Sequence, residues 1–286
     1  TGGWQGGSFY IIAARPSIGK TALALQCGYY PSKLAGDNNT PVYYWNGEML
    51  NTDMVARLIA IESSVNFIKM RDGRISDSEF KQLVDASGRV YQANLEIDDT
   101  PGINVHALRS KHKSLLKRHV GKGMLREDYM QLMGGHKEGT REQEISSIAR
   151  ALKETALETQ TPVIGLSQLS RECLKRANAK PSISDLRESG AIEQDADGIL
   201  LLNRPEFFGY SEYNGESTKG LGVVDIGKMR QGATGEILMN FNKSFAEWRN
   251  RSTMPEPMPS LDNAPDSAPP THGMPEIDFT EDDHPF

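Results

Sequence analysis

A small-residue turn followed by lysine and threonine is the stretch of this sequence best suited to chemistry. Residues 14–21 read Ala-Arg-Pro-Ser-Ile-Gly-Lys-Thr and lie between an apolar run, Phe9 to Ala13, and an apolar helical pattern that continues to Leu25. A strand, a tight turn and a helix that opens on Gly-Lys-Thr form the context of a phosphate-binding loop, although that pattern has glycine where Ala14 stands. Backbone N–H groups at a helix N-terminus face an anion, and the helix dipole favours negative charge there. The stretch therefore predicts a nucleotide phosphate site, and an ordinary strand–turn–helix is the alternative.

Separate roles follow from the residue types in this loop. Lys20 is expected to reach the β- and γ-phosphates, and the Thr21 hydroxyl is expected to bind Mg²⁺. ATP with Mg²⁺ is the predicted cofactor. The predicted nucleotide-binding set is one continuous run, Ala14, Arg15, Pro16, Ser17, Ile18, Gly19, Lys20, Thr21 and Ala22.

Polar residues follow three further predicted strands. Glu48 comes just after Tyr43-Tyr44-Trp45 and is a candidate general base for an attacking water. Asp128 ends a run that starts at Met124 and is a candidate Mg²⁺ partner, and Gln168 follows Val163 to Ser167, where it would sense the γ-phosphate. Because the carboxyl ends of parallel strands meet at one edge of a sheet, these residues are expected near Lys20 and Thr21.

The elements that must position these residues alternate between strand and helix. We predict an α/β fold with a mostly parallel central sheet, helices on both faces and antiparallel hairpin strands at the C-terminal edge. Capping boxes and a Thr-Pro pair mark three helix starts, at Ser76, Thr100 and Thr140. Further helices are expected over 52–63 and 105–119, and further strands over 198–202, 223–226 and 237–241.

Composition limits the remaining function classes. The 286 residues contain no run of about 18 apolar residues, so no membrane partner is expected. Cys27 and Cys173 are far apart, so a reducing, cytoplasmic setting is expected. The six histidines have no metal-ligand spacing and are expected to be surface or incidental residues. The first residues are expected to be the result of a cut inside a longer protein.

The net charge of −6 arises from residues 251–286, which carry −7. These residues are predicted to be a disordered acidic tail that follows a motor domain over 1–250.

Several segments together resemble the motor domain of the DnaB-type replicative helicases over residues 1 to 250. The segment from Ser184 to Asp197 is the most specific, because a generic recombinase-type ATPase lacks it. The segments that carry the resemblance are residues 1–4, 14–21, 140–145, 166–171, 184–197 and 227–235.

The resemblance implies a RecA-like ATPase that assembles as a ring of six around single-stranded DNA and moves 5′ to 3′. It implies that Glu48 is the catalytic base, that Asp128 is the acid of the second nucleotide motif, and that Gln168 couples the γ-phosphate to the DNA loops. Arg230, with Lys228, would reach the neighbouring subunit's site as an arginine finger. The DNA backbone would contact a loop formed by Arg187, Glu188, Ser189 and Gly190.

Partners and competing functions also follow from this resemblance. A homohexamer is expected, with a helicase loader, other replisome proteins, and primase through an N-terminal domain outside this sequence. A RecA- or RadA-like recombination ATPase is one alternative, and an ATP-gated DNA-binding ring with weak hydrolysis is another. The tail ends Glu281-Asp282-Asp283-His284-Pro285-Phe286, which resembles the acidic tip of bacterial single-stranded-DNA-binding proteins.

One strand departs from the family pattern. The residues before Asp128 are Arg126 and Glu127, where a central strand buried on both faces should be continuously apolar. An unpaired charge there would cost several kcal/mol. The two charges could pair with each other or with neighbours at the strand end, the strand could be short, or the site could be impaired.

Overall fold

A nine-stranded sheet forms the centre of the protein. The computed structural model describes residues 2–35, 39–119, 123–134, 140–186 and 190–251, all within the first of two units into which the chain divides, residues 1–253 and 254–286. The predicted acidic tail therefore lies outside the described residues except for Arg251. The strands are β1 (Phe9–Ala14), β2 (Val42–Asn46), β3 (Leu95–Asp98), β4 (Met124–Asp128), β5 (Val163–Gln168), β6 (Gly198–Asn203), β7 (Glu212–Tyr213), β8 (Glu216–Ser217), β9 (Leu221–Met229), β10 (Gly235–Asn242) and β11 (Glu247–Asn250).

The strand order confirms the predicted fold class. It runs β11-β10-β9-β6-β1-β5-β4-β2-β3, while β7 and β8 form a separate short hairpin. The six strands from β6 to β3 are parallel, and β9, β10 and β11 follow on the other side of β6, each antiparallel to the strand before it. The carboxyl ends of β1, β4, β5 and β2 consequently lie side by side at one edge.

Helices cover both faces of the sheet. They are α1 (Lys20–Ser32), α2 (Asn51–Ser63), α3 (Phe67–Arg71), α4 (Asp77–Tyr91), α5 (Val105–Arg118), α6 (Arg141–Thr159) and α7 (Gly190–Asp195). The apolar side chains of α5 and α6 pack with Phe9, Ile11 and Leu125 on one face. Those of α1 and α2 pack with Tyr10 and Ile12 on the other. Among the described residues, no helix is both long and apolar enough to cross a membrane.

Two of the three predicted helix starts are correct. Ser76 and Thr140 are N-caps with complete capping boxes, formed with Glu79 and Gln143. The start predicted at Thr100 is wrong, because α5 begins at Val105 and its N-cap is Asn104. Thr100 instead belongs to the loop after β3: its hydroxyl donates to Asp98, and its carbonyl accepts a hydrogen bond from the Trp45 indole.

One of the six histidines lies in the core rather than at the surface. His112 on α5 is fully buried, and its Nε2 lies 2.8 Å from the Thr161 hydroxyl oxygen. Burial lowers the pKa of His112 to about 4, so the ring is neutral in the folded protein at neutral pH. The residue lies on the apolar side of a helix whose other face carries lysines, so its position is a consequence of helical periodicity.

Candidate P-loop cleft

The predicted phosphate loop connects β1 to α1 as a strained turn. Ala14 pairs with Gln168 on β5 and with Leu202 on β6, which fixes the point where the loop leaves the sheet. Ser17 and Gly19 then have positive φ, at 65° and 106°. A Cβ on Gly19 would lie 2.8 Å from a Phe241 ring carbon, so only glycine fits this position.

Lys20 lies between a carboxylate and an aromatic ring. Its Nζ is 3.6 Å from Asp128 Oδ1 and 4.3 Å from the centre of the Tyr129 ring. The Tyr44 hydroxyl donates to the other Asp128 oxygen at 3.3 Å. Burial, together with Asp128, raises the pKa of Tyr44 well above its usual range, so Tyr44 stays protonated as a donor. The candidate phosphate-binding lysine and the candidate Mg²⁺-binding acid therefore form an ion pair.

Most of the predicted nucleotide-site residues surround one cleft of about 370 Å³ at the carboxyl edge of the sheet, whereas Asp128 is fully buried and does not line it. Glu48 and Gln168 lie on its wall together with the loop residues from Ala14 to Ala22, with one exception. The exception is Ile18, which is buried in the core below the loop. We call this space, with these lining residues, the P-loop cleft.

Short polar contacts position the two residues that β2 and β5 bring to the cleft. Asn46 Oδ1, at the end of β2, accepts hydrogen bonds of 3.2 Å from the backbone N–H groups of Glu48 and Met49, which shapes the loop that carries Glu48. Glu48 itself is exposed to solvent. Next to Gln168, the Leu169 carbonyl accepts a 2.7 Å hydrogen bond from Arg15, so the phosphate loop is fixed to the end of β5.

Sequence reasoning missed five residues of the cleft wall. They are Met49, Arg57, Tyr129, Phe241 and Ala246. Phe241 belongs to β10, and Arg204 lies 3.8 Å from the centre of its ring, while Trp248 on β11 donates a 3.0 Å hydrogen bond to the Gly19 carbonyl. No local pattern could reveal these contacts, since they depend on the pairing of distant strands.

One observation indicates that these residues suit a magnesium–nucleotide complex. Asp128 Oδ1 is buried beside Lys20 and accepts no hydrogen bond from the described residues. A carboxylate oxygen, the neighbouring Thr21 hydroxyl and phosphate oxygens are the hard donors that Mg²⁺ prefers. The described part of the chain contains no cluster of three or more His, Cys, Asp or Glu residues that could hold a metal ion.

Arg230 and Lys228 are located at the opposite edge of the sheet. Arg230 follows β9, whose last residue, Met229, pairs with Gly198 at the amino end of β6. Its guanidinium donates to Asp197 Oδ1 at 2.9 Å and to the Gln194 carbonyl at 2.8 Å. The six residues of β1 separate that edge from the P-loop cleft by about 20 Å.

Of the predicted DNA loop, the structure describes only the last residue, Gly190. Arg187, Glu188 and Ser189 lie outside the described residues, and Gly190 begins α7. Lys228 donates to the Glu193 carbonyl near the end of this helix, as Arg230 does to that of Gln194. The two candidate finger residues are therefore attached to the helix that follows the candidate DNA loop.

The two charges before Asp128 do not pair with each other. β4 is a full five-residue strand that is buried throughout, so the expectation of a short strand is wrong. Successive side chains point to opposite faces of a sheet, which directs Arg126 toward α1 and Glu127 toward Phe9 and Gly165.

Neither the Arg126 nor the Glu127 side chain has a hydrogen-bond partner among the described residues. Burial, followed by the charge of Asp128, raises the pKa of Glu127 well above its usual range.

The fold and the P-loop cleft together define a RecA-like P-loop NTPase domain. The family of DnaB-like helicase C-terminal domains matches residues 1–250, and this chain belongs to that family. The expected resemblance is therefore confirmed.

Similar proteins and structures agree with this assignment. The Replicative DNA helicase DnaB of Geobacillus stearothermophilus and the Replicative DNA helicase DnaC of Bacillus subtilis (strain 168) are each 37% identical over 252 residues, covering 87% of this chain and 54% of those proteins. The chain thus spans about half the length of these relatives. Among solved structures, a DnaB-like replicative helicase described with its primase interactions has a TM-score of 0.80 at 35% identity, covering 87% of this chain and 58% of that one. A second solved structure, described as an ATPase domain, has a TM-score of 0.79 at 36% identity, covering 87% of this chain and 86% of that one.

Proposed function

We propose that this domain is the ATP-hydrolysing motor of a replicative DNA helicase. The observation that carries the proposal is the P-loop cleft, where β1, β2, β4 and β5 bring Lys20, Glu48, Asp128 and Gln168 to one edge of a RecA-like sheet. Membership of the DnaB-like family supports a motor on DNA rather than a general nucleotide-binding domain. The relatives named as replicative DNA helicases support the same function.

In this proposal each residue of the cleft has a separate role. Lys20 and the backbone N–H groups of residues 14–19 bind the phosphates of ATP, and Lys20 moves from Asp128 toward the γ-phosphate when ATP binds. Thr21 and Asp128 hold Mg²⁺, which would neutralise charge on the phosphate oxygens. Glu48, exposed on the cleft wall, accepts a proton from the attacking water, and Gln168 senses the γ-phosphate at the end of β5.

The site is completed by a neighbouring copy. Arg230 lies about 20 Å, the length of β1, from the cleft of its own chain, which is too far for an arginine side chain to reach. Hydrolysis assisted by this arginine therefore requires a heterologous interface between copies, as a closed ring provides. We propose a ring of six, with Lys228 supporting Arg230 at each interface.

The ring would hold single-stranded DNA through residues 187–190. Contacts between phosphates and a loop of Arg187, Glu188, Ser189 and Gly190 carry no sequence information, which suits movement along any sequence in the 5′-to-3′ direction. We further propose a helicase loader, primase and other replisome proteins as partners and the cytoplasm as location. The primase proposal is supported by the solved relative that is described with primase.

The proposal is tested by ATPase and fork-unwinding assays with and without single-stranded DNA. We expect DNA-stimulated hydrolysis and unwinding, both abolished by Lys20→Ala and both retained by Lys81→Ala, an exposed lysine on α4. Stimulated hydrolysis without unwinding would favour a recombination ATPase. Nucleotide binding without hydrolysis would favour an ATP-gated ring, the alternative that the buried charges of β4 support.

A further inference from the structure

A single antiparallel bridge joins the end of β5 to the last described residue before the candidate DNA loop. The bridge pairs Leu169, the neighbour of Gln168, with Leu186, and both leucines are buried. Beside it, the Ser170 N–H donates a 2.8 Å hydrogen bond to the Asp185 carbonyl. The candidate γ-phosphate sensor and the start of the candidate DNA loop are therefore each one residue away from the same bridge.

The phosphate loop is bonded to the same point. Arg15 donates a 2.7 Å hydrogen bond to the Leu169 carbonyl, and the Leu169 N–H donates a 3.0 Å bond to the Ala14 carbonyl. Leu169 thus contacts the phosphate loop on one side and Leu186 on the other. A displacement of the phosphate loop would move Leu186 as well, provided that residues 170–185 do not absorb it.

A buried ion pair holds residues 170–185 together. Asp185 is 1% exposed, and its two carboxylate oxygens accept hydrogen bonds of 2.5 and 2.9 Å from the two terminal nitrogens of Arg176. The Ser182 N–H donates to the same carboxylate at 2.7 Å, and Arg176 donates to the Lys180 carbonyl at 3.2 Å. A two-point contact between a guanidinium and a carboxylate fixes orientation as well as distance. We call Arg176 and Asp185 the clasp.

The backbone inside the clasp depends on such contacts. Asn178 and Ala179 are consecutive non-glycine residues with positive φ, 55° and 48°. Residues in this region persist only where the surrounding structure holds them. Asn203, at the end of β6, donates a 2.9 Å hydrogen bond to the Asn178 carbonyl. The segment is therefore held at several points and should move as one body with the Leu169–Leu186 bridge.

We propose that Arg176 and Asp185 are positioning residues that couple ATP in the P-loop cleft to DNA binding by the same subunit. Neither is among the described residues that line the cleft. The clasp would keep Leu186 attached to Leu169, so that the residues after Leu186 follow the nucleotide state. It sets how strongly one ligand favours the other, rather than the affinity for either ligand alone. This inference rests on the proposed function, because it requires DNA contact by residues 187–190.

The test measures the affinity for a fluorescent oligothymidylate with and without the slowly hydrolysed analogue ATPγS. In the unaltered chain the analogue should tighten DNA binding about tenfold or more, and DNA should tighten analogue binding by the same factor, because coupling is reciprocal. In Arg176→Ala and in Asp185→Asn both factors should fall below about threefold. Affinity for ATPγS and the rate of ATP hydrolysis, each measured without DNA, should stay unchanged.

Two further variants separate the clasp from charge alone. Lys175→Ala is the matched control, since Lys175 is exposed, precedes Arg176 and pairs with Glu172 at 2.7 Å; it should keep the coupling. Arg176→Lys keeps the charge but cannot bind both carboxylate oxygens, so it should lose most of the coupling. The Arg176 side chain is 39% exposed, so Arg176→Ala tests the proposal even if the buried variant Asp185→Asn does not fold.

The outcomes distinguish this inference from the proposed function. An unaltered chain that binds no DNA, or binds it equally with and without ATPγS, would overturn the proposed ATP-driven motor and the inference with it. Coupling that persists in Arg176→Ala would overturn the inference alone. If that variant instead lost the same DNA affinity in both nucleotide states, Arg176 would be a direct phosphate contact, which also excludes the positioning role.

Discussion

His112 makes the acid stability of the domain depend on one buried ring. Its folded-state pKa is about 4, below the value of about 6.5 in an unfolded chain. Between these values the unfolded chain binds a proton that the folded protein excludes, so stability falls as the pH decreases through this window. His112→Gln should reduce the loss of unfolding free energy between pH 7 and pH 4.5 by about 2 to 3 kcal/mol.

Urea unfolding at the two pH values measures this difference. His106→Gln is the matched control, since His106 is exposed on the same helix and its replacement should leave the pH dependence unchanged. An equal loss of stability in His112→Gln and the unaltered chain would contradict the assignment.

Gly19 shows how strictly the phosphate loop depends on a single residue. Its φ is 106°, and a methyl group would meet the Phe241 ring at 2.8 Å and Trp248 Nε1 at 3.0 Å. Gly19→Ala should therefore displace the loop and weaken binding of a fluorescent ATP analogue by about tenfold or more, because the N–H groups that face the phosphates would move.

Gly73→Ala separates backbone strain from the contact with the rings. Gly73 also has a positive φ, 69°, but a Cβ there would meet nothing within 4 Å. We expect a stability loss of about 1 kcal/mol and unchanged nucleotide affinity. Comparable nucleotide affinities in Gly19→Ala and the unaltered chain would show that the loop tolerates the methyl group.

At the scale of elements, β4 is a central strand that carries two buried ionisable side chains. Arg126 faces α1 and Glu127 faces the other core, and both are fully buried. Replacing a buried ionic group with a well-packed apolar one is often neutral or stabilising by about 1–4 kcal/mol. The double variant Arg126→Val, Glu127→Ile should accordingly raise the melting temperature. Because the two side chains lie on opposite faces and share no contact, the gains of the single variants should add.

Thermal unfolding of the two single variants and the double variant tests this prediction. Leu125→Val, which alters a fully buried apolar residue of the same strand, is the reference for disturbing β4 without removing a charge. It should lower the melting temperature. An unchanged or lower melting temperature for the double variant would show that the two charges have compensating interactions in the folded protein.

The elements also show which parts of the structure were predictable from sequence. The helix starts at Ser76 and Thr140 were correct because a capping box is complete within four residues. The placement of Lys20, Glu48 and Gln168 around one cleft was predictable because parallel strands bring their carboxyl ends together. Trp248 was missed as a support of the loop, since its hydrogen bond to the Gly19 carbonyl spans 229 residues. Thr100 was misread because its side chain and carbonyl bond to other parts of the chain rather than to a helix.

The same distinction between local and distant contacts applies to β4. Alternation of side chains excludes a pair between adjacent strand residues, so the sequence alone contained enough information to reject a bond between Arg126 and Glu127. It did not contain the position of Arg126 against α1, which results from the packing of that helix on the sheet. Nor did it indicate that Gly28 leaves the space for the guanidinium.

At the scale of the whole molecule, the two halves of the proposed catalytic site lie at opposite edges of one sheet. The P-loop cleft is at the carboxyl edge, and Arg230 is held at the amino edge by Asp197 and the Gln194 carbonyl. Asp197 also accepts a 2.6 Å hydrogen bond from Lys153 and a 2.8 Å bond from the Phe9 backbone. This network fixes the arginine to the rigid core, so a copy placed with its amino edge against the next copy's cleft would present the arginine in a defined position.

That arrangement predicts complementation between two inactive variants. Lys20→Ala removes a phosphate ligand and keeps the arginine, whereas Arg230→Ala keeps the cleft and should slow hydrolysis by about a thousandfold. In a random equal mixture that forms closed rings, about one interface in four combines an intact cleft with an intact Arg230 from the neighbour. The mixture should therefore hydrolyse ATP at about a quarter of the unaltered rate, provided that each interface acts alone. Lys81→Ala mixed with Lys20→Ala controls for the effect of mixing itself. If Arg230 acted within its own chain, each copy would contain one defect, and the mixture would stay as inactive as its components.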